Sequence, residues 1–353
     1  MPLFLSLSSR RGLIVGRIAA LLCGILCCIQ PLSAQLPQAR LYAVSPAGGQ
    51  QGTTFDLTLA NGIDLDDSFE LRFSHPGIKA AVKTQDVEGK PQPISGQFAV
   101  TIDAAVPTGV YDVRAVSRYG ISNPRSFVVG SRPEVKETEP NNDNEKAQKI
   151  EVNTVVNGLS NSATDLDFYK ISLKKDERVL IRCQAMSIDS KLDPTLELYA
   201  PDGRLLQYTR NRVGRDPLID VTAAADGDYI LKIYDFLYQG SNDHFYRLSV
   251  GRTPHVEFAL PPAGLPGTTG EYTLYAHLLP GGTPSDYEID GVKLDALKVS
   301  IAMPEQPQPE QGAVNVPAVS AGLEGVTYRV DSPDGPSDPI LIHAAKATPL
   351  AEV

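Results

Sequence analysis

Two short clusters of oxygen-bearing side chains are the part of this sequence best suited to chemistry. Their members are Glu137, Glu139, Asn141, Asn142, Asp165 and Asp167. Alternate positions of an extended chain face the same way, so the two glutamates share one face and the two aspartates share another. Four carboxylates brought together repel one another unless a cation lies between them, and Ca²⁺ prefers carboxylate and amide oxygens. The clusters predict a calcium site, while a solvated acidic linker followed by a turn cap suits the same residues equally well.

The sequence contains no motif typical of a catalytic centre. Gly-x-Ser-x-Gly, His-Glu-x-x-His, a phosphate-binding P-loop and a cysteine pair suited to zinc are all missing from it. The five histidines are scattered singly along the chain, at His75, His244, His255, His277 and His343. We therefore predict no catalytic residue and no organic cofactor site, and expect that this chain is not an enzyme.

The first 34 residues have the composition of an export signal. Arg10, Arg11 and Arg17 precede or interrupt an apolar run over residues 18–28, and small residues near Ala34 suit signal peptidase. The apolar run is too short for a membrane span. A partial twin-arginine pattern leaves both the twin-arginine and the general secretory routes open. We expect an exported protein at the periplasm, the cell surface or outside the cell, with no stable membrane span after signal removal.

Removal of that segment makes the chain more acidic and leaves it one cysteine. The formal charge changes from −10 to −13, because the segment carries three arginines and no acid. Nucleic acid is therefore excluded as a partner on electrostatic grounds. Cys183 remains, and it alternates with Val179 and Ile181 in a strand-like run. This pattern predicts a buried, inert thiol, and a single cysteine cannot form an intrachain disulfide.

Strands must position the acidic clusters, because alternating apolar and polar side chains fill the rest of the chain. The strands predicted in the central segment are residues 167–173, 178–185, 194–199, 205–209, 218–222, 227–234 and 245–250. Similar runs over residues 38–130 predict an immunoglobulin-like sandwich without a disulfide. No stretch shows sustained helical periodicity. The sequence thus predicts an all-β chain of three tandem β-sandwich modules, over residues 38–130, 134–251 and 255–344.

Residues 255–344 repeat sequence marks found in residues 38–130. A Pro-Ala-Gly triplet at 46–48 recurs at 262–264, and a Gly-x-Ser-x-Pro pattern at 120–124 recurs at 335–339. The triplet and the serine are 76 residues apart in the first segment and 75 in the second. Two marks that recur in register predict one shared Ig-like fold. The Pro-rich stretch over residues 304–311 predicts an extended loop within the second copy.

The acidic clusters belong to a longer pattern over about residues 134–251. The pattern comprises Glu137-Thr138-Glu139-Pro140-Asn141-Asn142, Gly158, Asp165-Leu166-Asp167-Phe168-Tyr169, Pro201-Asp202-Gly203 and Gly227-Asp228-Tyr229. It resembles the bacterial pre-peptidase C-terminal (PPC) domain, a jelly-roll-like β-sandwich that accompanies secreted proteases and is similar to the collagen-binding module of clostridial collagenases. The flanking modules resemble immunoglobulin-like or IPT-type sandwiches.

The resemblance also implies a set of site residues. The acidic positions that match it bind Ca²⁺ in the collagenase modules, which implies ligands at Glu137, Glu139, Asn141, Asn142, Asp165 and Asp167. Asn142 stands where an aspartate is often found, and this lowers the charge of the site. The family's ligand surface is carried by exposed aromatics on a strand, which Tyr234, Phe236 and Tyr238 would supply here. Alternatively, these three rings pack against a loop or a neighbouring domain.

These features predict an exported, non-catalytic binding or accessory protein. Its central domain would act in adhesion or in binding of a surface, a substrate or a partner, with stabilisation by calcium. The expected partner is an extracellular protein, a polysaccharide or an associated secreted hydrolase. The alternative is an accessory region of a secreted peptidase or other hydrolase whose catalytic domain lies elsewhere.

Overall fold

The computed structural model describes residues 37–308 and 324–347, and the regular secondary structure of these residues is almost entirely β-strand. The prediction of an all-β chain is therefore confirmed. The predicted signal at residues 1–34 lies outside the described residues, as do residues 309–311 of the predicted Pro-rich loop. No helix among the described residues has the length and apolar character needed to span a membrane.

The first group of strands forms two sheets around one apolar core. The strands are β1 (Arg40–Ser45), β2 (Gly48–Gln50), β3 (Thr54–Ile63), β4 (Glu70–Phe73), β5 (Ile78–Val87), β6 (Lys90–Ile102), β7 (Gly109–Ser117), β8 (Gly120–Ile121) and β9 (Arg125–Gly130). One sheet has the order β1-β3-β6-β5 and the other β2-β9-β7-β4, with β8 paired to β7. Leu57, Phe98, Tyr111 and Phe127 are fully buried between the two sheets. Alternation of such side chains with polar ones gives each sheet one inward face.

The central group of strands also forms two sheets. The strands are β10 (Glu134–Lys136), β11 (Gln148–Ile150), β12 (Thr154–Leu159), β13 (Asp167–Leu173), β14 (Arg178–Gln184), β15 (Pro194–Tyr199), β16 (Leu205–Thr209), β17 (Leu218–Thr222), β18 (Gly227–Asp235) and β19 (Phe245–Gly251). We call β10-β12-β19-β14-β17 the inner sheet and β11-β13-β18-β15-β16 the outer sheet. All seven strands predicted in this segment are present, with ends that differ by at most one residue. Cys183 is buried in the shared core.

The last group of described strands repeats the pairing order of the first. Its strands are β20 (His255–Leu260), β21 (Ala263–Gly264), β22 (Thr269–His277), β23 (Thr283–Ile289), β24 (Val292–Ala302), β25 (Gly325–Tyr328) and β26 (Ile340–Ala344). The sheet β20-β22-β24-β23 matches β1-β3-β6-β5, and β21-β26-β25 matches β2-β9-β7. In both groups the short second strand pairs in parallel with the last one. No described strand between β22 and β23 corresponds to β4.

The recurring serines make the same buried hydrogen bonds in the two groups. Ser122 Oγ accepts from the Ala115 amide and donates to the Asn123 carbonyl. Ser337 Oγ accepts from the Val330 amide at 2.9 Å and donates to the Asp338 carbonyl at 2.9 Å. The glycine two residues before each serine has a positive φ, 104° at Gly120 and 107° at Gly335. The sequence repeat thus corresponds to a repeated turn geometry.

Both flanking groups contact the outward side of the inner sheet. From the first group, the Ser126 amide and hydroxyl donate to Asp189, while Val128 lies in an apolar cluster with Ile188 and Phe245. From the last group, Asp295 and Asp338 pair with Arg178 and Arg182 of β14. The two flanking groups also meet directly, where Arg329 donates to Thr108. The outward face of the outer sheet takes part in none of these contacts.

Candidate metal centre

The acidic segment crosses from one central sheet to the other. Strand β10 pairs in parallel with β12 of the inner sheet, and the Glu137 amide extends this pairing by donating to the Asn157 carbonyl. A few residues later β11 pairs in parallel with β13 of the outer sheet. Between them, the Asn141 carbonyl accepts from the Phe168 amide at 3.0 Å. Because Phe168 follows Asp167, this crossing brings the first acidic cluster to the beginning of β13.

Three carboxylates of the predicted site converge at this crossing. One oxygen from each of Glu137, Glu139 and Asp167 lies within 4.8 Å of the others. Asp167 is 1% exposed, Glu137 is half-buried and Glu139 faces solvent. Asn141 is fully buried. Its side-chain Nδ2 donates to Glu137 Oε1 at 3.0 Å, and its backbone N–H donates to Glu139 Oε2. Four of the six predicted residues therefore form one cluster, which we call the acidic centre.

Two phenols lie beneath the acidic centre. Tyr169 and Tyr246 are buried, and their hydroxyl oxygens are 2.6 Å apart. Each hydroxyl contacts Glu137 Oε1 at 2.7 Å, and that of Tyr246 also contacts Asp167 Oδ2 at 2.7 Å. Sequence reasoning gave neither tyrosine a role, although Tyr169 shares the face of Asp167 through its spacing of two residues.

Gly158 of β12 makes room for the Tyr246 ring. The two residues are paired across β12 and β19. A Cβ atom at position 158 would lie only 2.2 Å from the Tyr246 ring, so any side chain there would displace the phenol. The glycine in the sequence pattern is thus explained by a close approach rather than by a special φ angle.

The acidic centre carries an excess of buried negative charge. Burial, reinforced by the neighbouring Glu137 carboxylate, raises the pKa of Asp167 to about 9. Burial also raises the pKa of Glu139, with further contributions from Asp165 and Glu137. The pKa values of Tyr169 and Tyr246 lie well above the usual value, again mainly because of burial. Each shift disfavours negative charge, so the site calls for a compensating proton or cation.

Two oxygens of the acidic centre lack a hydrogen-bond partner. Asn141 Oδ1 and Asp167 Oδ1 are both buried and unpaired among the described residues. Unpaired buried acceptors are costly in a folded protein. Together with the adjacent carboxylates they form a donor set made only of oxygen, which suits a hard cation such as Ca²⁺. The residues present therefore fit a calcium ion.

Asn142 and Asp165 lie beside the acidic centre and bond to each other. Asn142 is exposed, and its Nδ2 donates to Asp165 Oδ1 at 2.9 Å. Asp165 Oδ2 accepts from the Asn161 amide at 2.8 Å. Both carboxylate oxygens of Asp165 are thus engaged in fixing the turn before β13. A ligand role for these two residues stays a prediction.

The three predicted surface aromatics do not continue along one strand. Strand β18 ends at Asp235, whose Oδ1 accepts from the amides of Leu237 and Gln239 and so closes a turn. Tyr234 is the one ring of the three on the strand and is 8% exposed. Phe236 and Tyr238, in the turn, are 42% and 47% exposed. The Tyr238 ring stacks on Tyr234 at 5.3 Å, so the turn folds the aromatics into a patch.

Two of the scattered histidines meet where the inner sheet contacts the last group of strands, and no sequence pattern indicated this. His277 bonds to Asp220 of β17 through Nδ1 at 2.6 Å and to Glu257 through Nε2 at 3.0 Å. The His255 ring lies 6.4 Å from that of His277, and Arg212 pairs with Glu257. Among the described residues, the carboxylates of Glu137, Glu139 and Asp167 form the group placed to hold a metal ion, and these histidines do not belong to it. This charged cluster joins the inner sheet to the last group of strands.

Comparison with known proteins gives partial structural likenesses. No family model matches the chain, and no curated protein matches it either. The pre-peptidase C-terminal domain of collagenase from Bacillus anthracis is similar at 20% identity and a TM-score of 0.25, over 34% of this chain and 99% of that one. CorA, a surface-associated copper-binding protein of Methylomicrobium album BG8, is similar at 11% identity and a TM-score of 0.23, over 30% and 97%.

A third likeness covers more of the chain. The protein SGBP-B of the Bacteroides ovatus mixed-linkage glucan utilization locus, solved with a heptasaccharide, is similar at 8% identity and a TM-score of 0.19. The match covers 63% of this chain and 78% of that one. At such identities and TM-scores these likenesses do not support an inference about function, which therefore rests on the geometry of the site.

Proposed function

We propose that this protein is an exported, non-catalytic binding protein whose central domain is stabilised by Ca²⁺. The ion would be held by Glu137, Glu139, Asn141 and Asp167. The observation that carries the proposal is the pair of buried, unpaired oxygens, Asn141 Oδ1 and Asp167 Oδ1, at the edge of a three-carboxylate group. A bound cation would coordinate both of these oxygens and offset the repulsion among the three carboxylates.

The donor set favours calcium over other common metals. Zinc and copper sites in proteins are rich in histidine nitrogen and cysteine sulfur, and the acidic centre contains neither. Magnesium keeps several of its waters and requires near-ideal octahedral geometry, whereas calcium accepts irregular sets of six to eight oxygens. An amide oxygen beside three carboxylates on a crossing loop fits the irregular set better.

The role of the ion follows from where the ligands lie. Glu137, Glu139 and Asn141 belong to the segment that leaves the first group of strands and crosses the central sandwich, whereas Asp167 begins β13. A cation shared between them ties this connecting segment to the sandwich. Binding to the folded state alone stabilises it by about 2.7 kcal/mol when the ion is at a hundredfold its Kd.

Calorimetric melting of the full-length chain tests this role. Calcium at millimolar concentration should raise the melting temperature of the central domain relative to the same protein in chelator, and Mg²⁺ at equal concentration should raise it less. Glu145→Ala offers a matched control, because Glu145 lies exposed in the same segment outside the acidic centre. Identical melting in chelator and in calcium would refute the site.

For the partner, we propose a polysaccharide bound on the outward face of the outer sheet. Cross-strand pairing aligns Tyr208, Glu197 and Lys232 in one row of this face. Glu197 accepts from the Tyr234 hydroxyl at 2.8 Å, and the Arg210 guanidinium lies 3.3 Å from the centre of the Phe236 ring. Lysine and glutamate are depleted at the cores of protein–protein interfaces. Rings interspersed with paired charges therefore suit a hydroxyl-rich ligand better than an apolar protein surface.

Affinity electrophoresis in gels containing soluble polysaccharides tests this surface. Phe236→Ala and Tyr208→Ala should each abolish retardation, because both rings are about half exposed and would stack on the ligand. Tyr287→Ala is the matched control, since Tyr287 is 47% exposed but lies in β23 of another domain. If no polysaccharide retards the protein, and an extracellular protein binds it in a manner that requires Phe236, the surface binds a protein and not a polysaccharide.

A further inference from the structure

A cavity of about 430 Å³ lies where the three groups of strands meet. Its lining includes Thr108 and Val128 from the first group, the outward side chains of β14 and β19, and Asp338 from the last group. The cavity is separate from both the acidic centre and the aromatic patch. Its size is within the range of small-molecule pockets, which run from about 300 to 1,000 Å³.

Three arginines converge on this cavity in a chain whose overall charge is negative. They are Arg132 in the segment between β9 and β10, Arg182 in β14 and Arg247 in β19. Arg182 pairs with Ser249 across the sheet, so Arg247 occupies the diagonal position on the same outward face. Burial lowers the pKa of Arg132 and of Arg182, and the charge of a neighbouring arginine lowers each further.

Within residues 37–308 and 324–347, two of these guanidinium groups form an ion pair and the third forms none. Arg247 forms a two-pronged pair with Glu134 at 2.7 and 2.8 Å, and Arg182 pairs with Asp338. Arg132 has neither an ion pair nor a side-chain hydrogen bond with any other described residue. The Asp334 carboxylate raises the pKa of Arg132 only through a Coulomb interaction, without an ion-pair contact. The described lining of the cavity therefore carries uncompensated positive charge.

Donor atoms without acceptors also line the cavity. The Nε–H groups of Arg182 and Arg247 are buried and have no hydrogen-bond partner in the described part of the chain, and Arg247 is only 2% exposed. His255, another lining residue, also has an Nδ1 atom without a hydrogen-bond partner among the described residues, and this atom donates only in the tautomer that carries the ring proton there. A buried charged group with an unsatisfied donor lowers the stability of the folded state more than a neutral group does.

Glycines at neighbouring positions make space for the guanidinium groups. A Cβ at Gly251 would lie 2.5 Å from Arg132 Nη1, and a Cβ at Gly48 would lie 2.6 Å from Arg247 Nη1. Both glycines have backbone angles outside the left-handed region, so they are suited to these positions by their lack of a side chain. The arginines thus occupy spaces formed by the backbone around them.

We propose that this cavity binds a small ligand through an oxyanion group, with Arg132 as the main uncompensated charge. Carboxylate, sulfate and phosphate oxygens match the planar fork of a guanidinium group. Such a group would satisfy the free donors and reduce the mutual repulsion of the three arginines. The ligand would be either an inorganic oxyanion or an acidic saccharide.

Isothermal titration calorimetry on the full-length chain, at constant ionic strength in chloride, tests this site. The probes are inorganic phosphate, sodium sulfate and galacturonate. Saturable binding of phosphate or sulfate would identify a free oxyanion site, and binding of galacturonate alone would identify an acidic saccharide site. Binding of none of the three at millimolar concentration would overturn the proposal.

Matched variants separate specific binding from the general effect of sulfate and phosphate on protein stability. Arg132→Gln should weaken binding by at least about tenfold, since it removes a charged two-pronged donor. Because Arg132 has no ion pair to lose, this variant should melt no lower than the native protein in anion-free buffer. Arg204→Gln, an equal charge change on an exposed turn, should bind normally. Arg132→Lys should bind with intermediate affinity, and equal affinity in all variants would contradict the assignment.

Discussion

The hydroxyl of Tyr246 lies 2.7 Å from Asp167 Oδ2 and has two further oxygen neighbours, so its single proton cannot provide a hydrogen bond to all three. The Tyr169 and Tyr246 hydroxyls take part in four short contacts, with each other, with Glu137 twice and with Asp167. Two phenols carry two protons between them, so two of these four contacts lack a donor. The acidic centre therefore needs a further proton or a cation, in agreement with the raised pKa of Asp167.

Tyr246→Phe tests the contribution of this hydroxyl. Loss of its hydrogen bonds to charged oxygens should destabilise the central domain by about 1–3 kcal/mol in chelator. It should also reduce the rise in melting temperature on calcium addition, because Glu137 and Asp167 lose a group that orients them. Differential scanning calorimetry with and without calcium measures both effects.

Tyr229→Phe is the control for that variant. Tyr229 is buried in the same core, and its hydroxyl donates to the Ala225 carbonyl away from the acidic centre. This change should lower stability without altering the calcium-dependent rise. An equal loss of the calcium response in both variants would show that core packing, and not the phenol, supports the site.

Asp167→Asn should separate the cost of the buried charge from the benefit of the ion. The variant keeps the shape of the side chain and removes a carboxylate that burial and Glu137 disfavour. We expect a melting temperature in chelator equal to or above that of the native protein, together with loss of most of the calcium-dependent rise. A full calcium response in this variant would exclude Asp167 as a ligand.

The two histidines at the contact between the inner sheet and the last group of strands, His255 and His277, should affect acid stability in opposite directions. Burial, with the nearby charge of Arg182, lowers the pKa of His255 to about 3. Between that value and its usual pKa near 6.5 the unfolded chain binds a proton that the folded chain does not. Stability should therefore fall as pH drops below 6.5, by about 2 kcal/mol at pH 5. His255→Gln should remove this decline, as measured by melting at pH 5 and pH 7.

His277 provides the comparison of opposite sign. Burial lowers the pKa of His277, but hydrogen bonds to Asp220 and Glu257 outweigh it and raise the pKa above the usual value. The resulting stabilisation is complete below pH 6.5 and is lost as pH rises through the raised pKa. His277→Gln should therefore destabilise the protein more at pH 5 than at pH 9. A uniform loss across this range would indicate that His277 contributes packing alone.

The equivalence of the two flanking sandwiches can be tested through their buried serines. Ser122→Ala and Ser337→Ala each remove a hydroxyl that accepts one backbone amide and donates to one carbonyl. Each should destabilise its own domain by about 1–3 kcal/mol, because a buried amide loses its partner. Hydrogen exchange should show faster opening confined to the altered domain. A negligible effect at one serine would mean that the repeated turn is not equally important in both copies.

Local pattern was sufficient to predict most of the strands. The alternation in Tyr229-Ile230-Leu231-Lys232-Ile233 placed β18 correctly, because one face of that strand is core and the other is polar. The short strands β10 and β11 were not predicted, since three residues in a polar segment carry no periodic signal. They form because parallel neighbours β12 and β13 supply their hydrogen bonds.

The sequence by itself determined the chemistry available to the acidic centre and the strands that bear it. Spacing put Glu137 with Glu139 and Asp165 with Asp167, but it could not decide which pairs would meet. Tertiary structure decided that Asp167 joins the glutamates and that Asp165 fixes a turn. It also decided that Tyr246, 109 residues from Glu137, contacts the carboxylates of Glu137 and Asp167. The meeting of Arg132 with Arg182 and Arg247 was settled in the same way. Strand pairing and domain packing bring distant residues together, and neither can be inferred from local spacing.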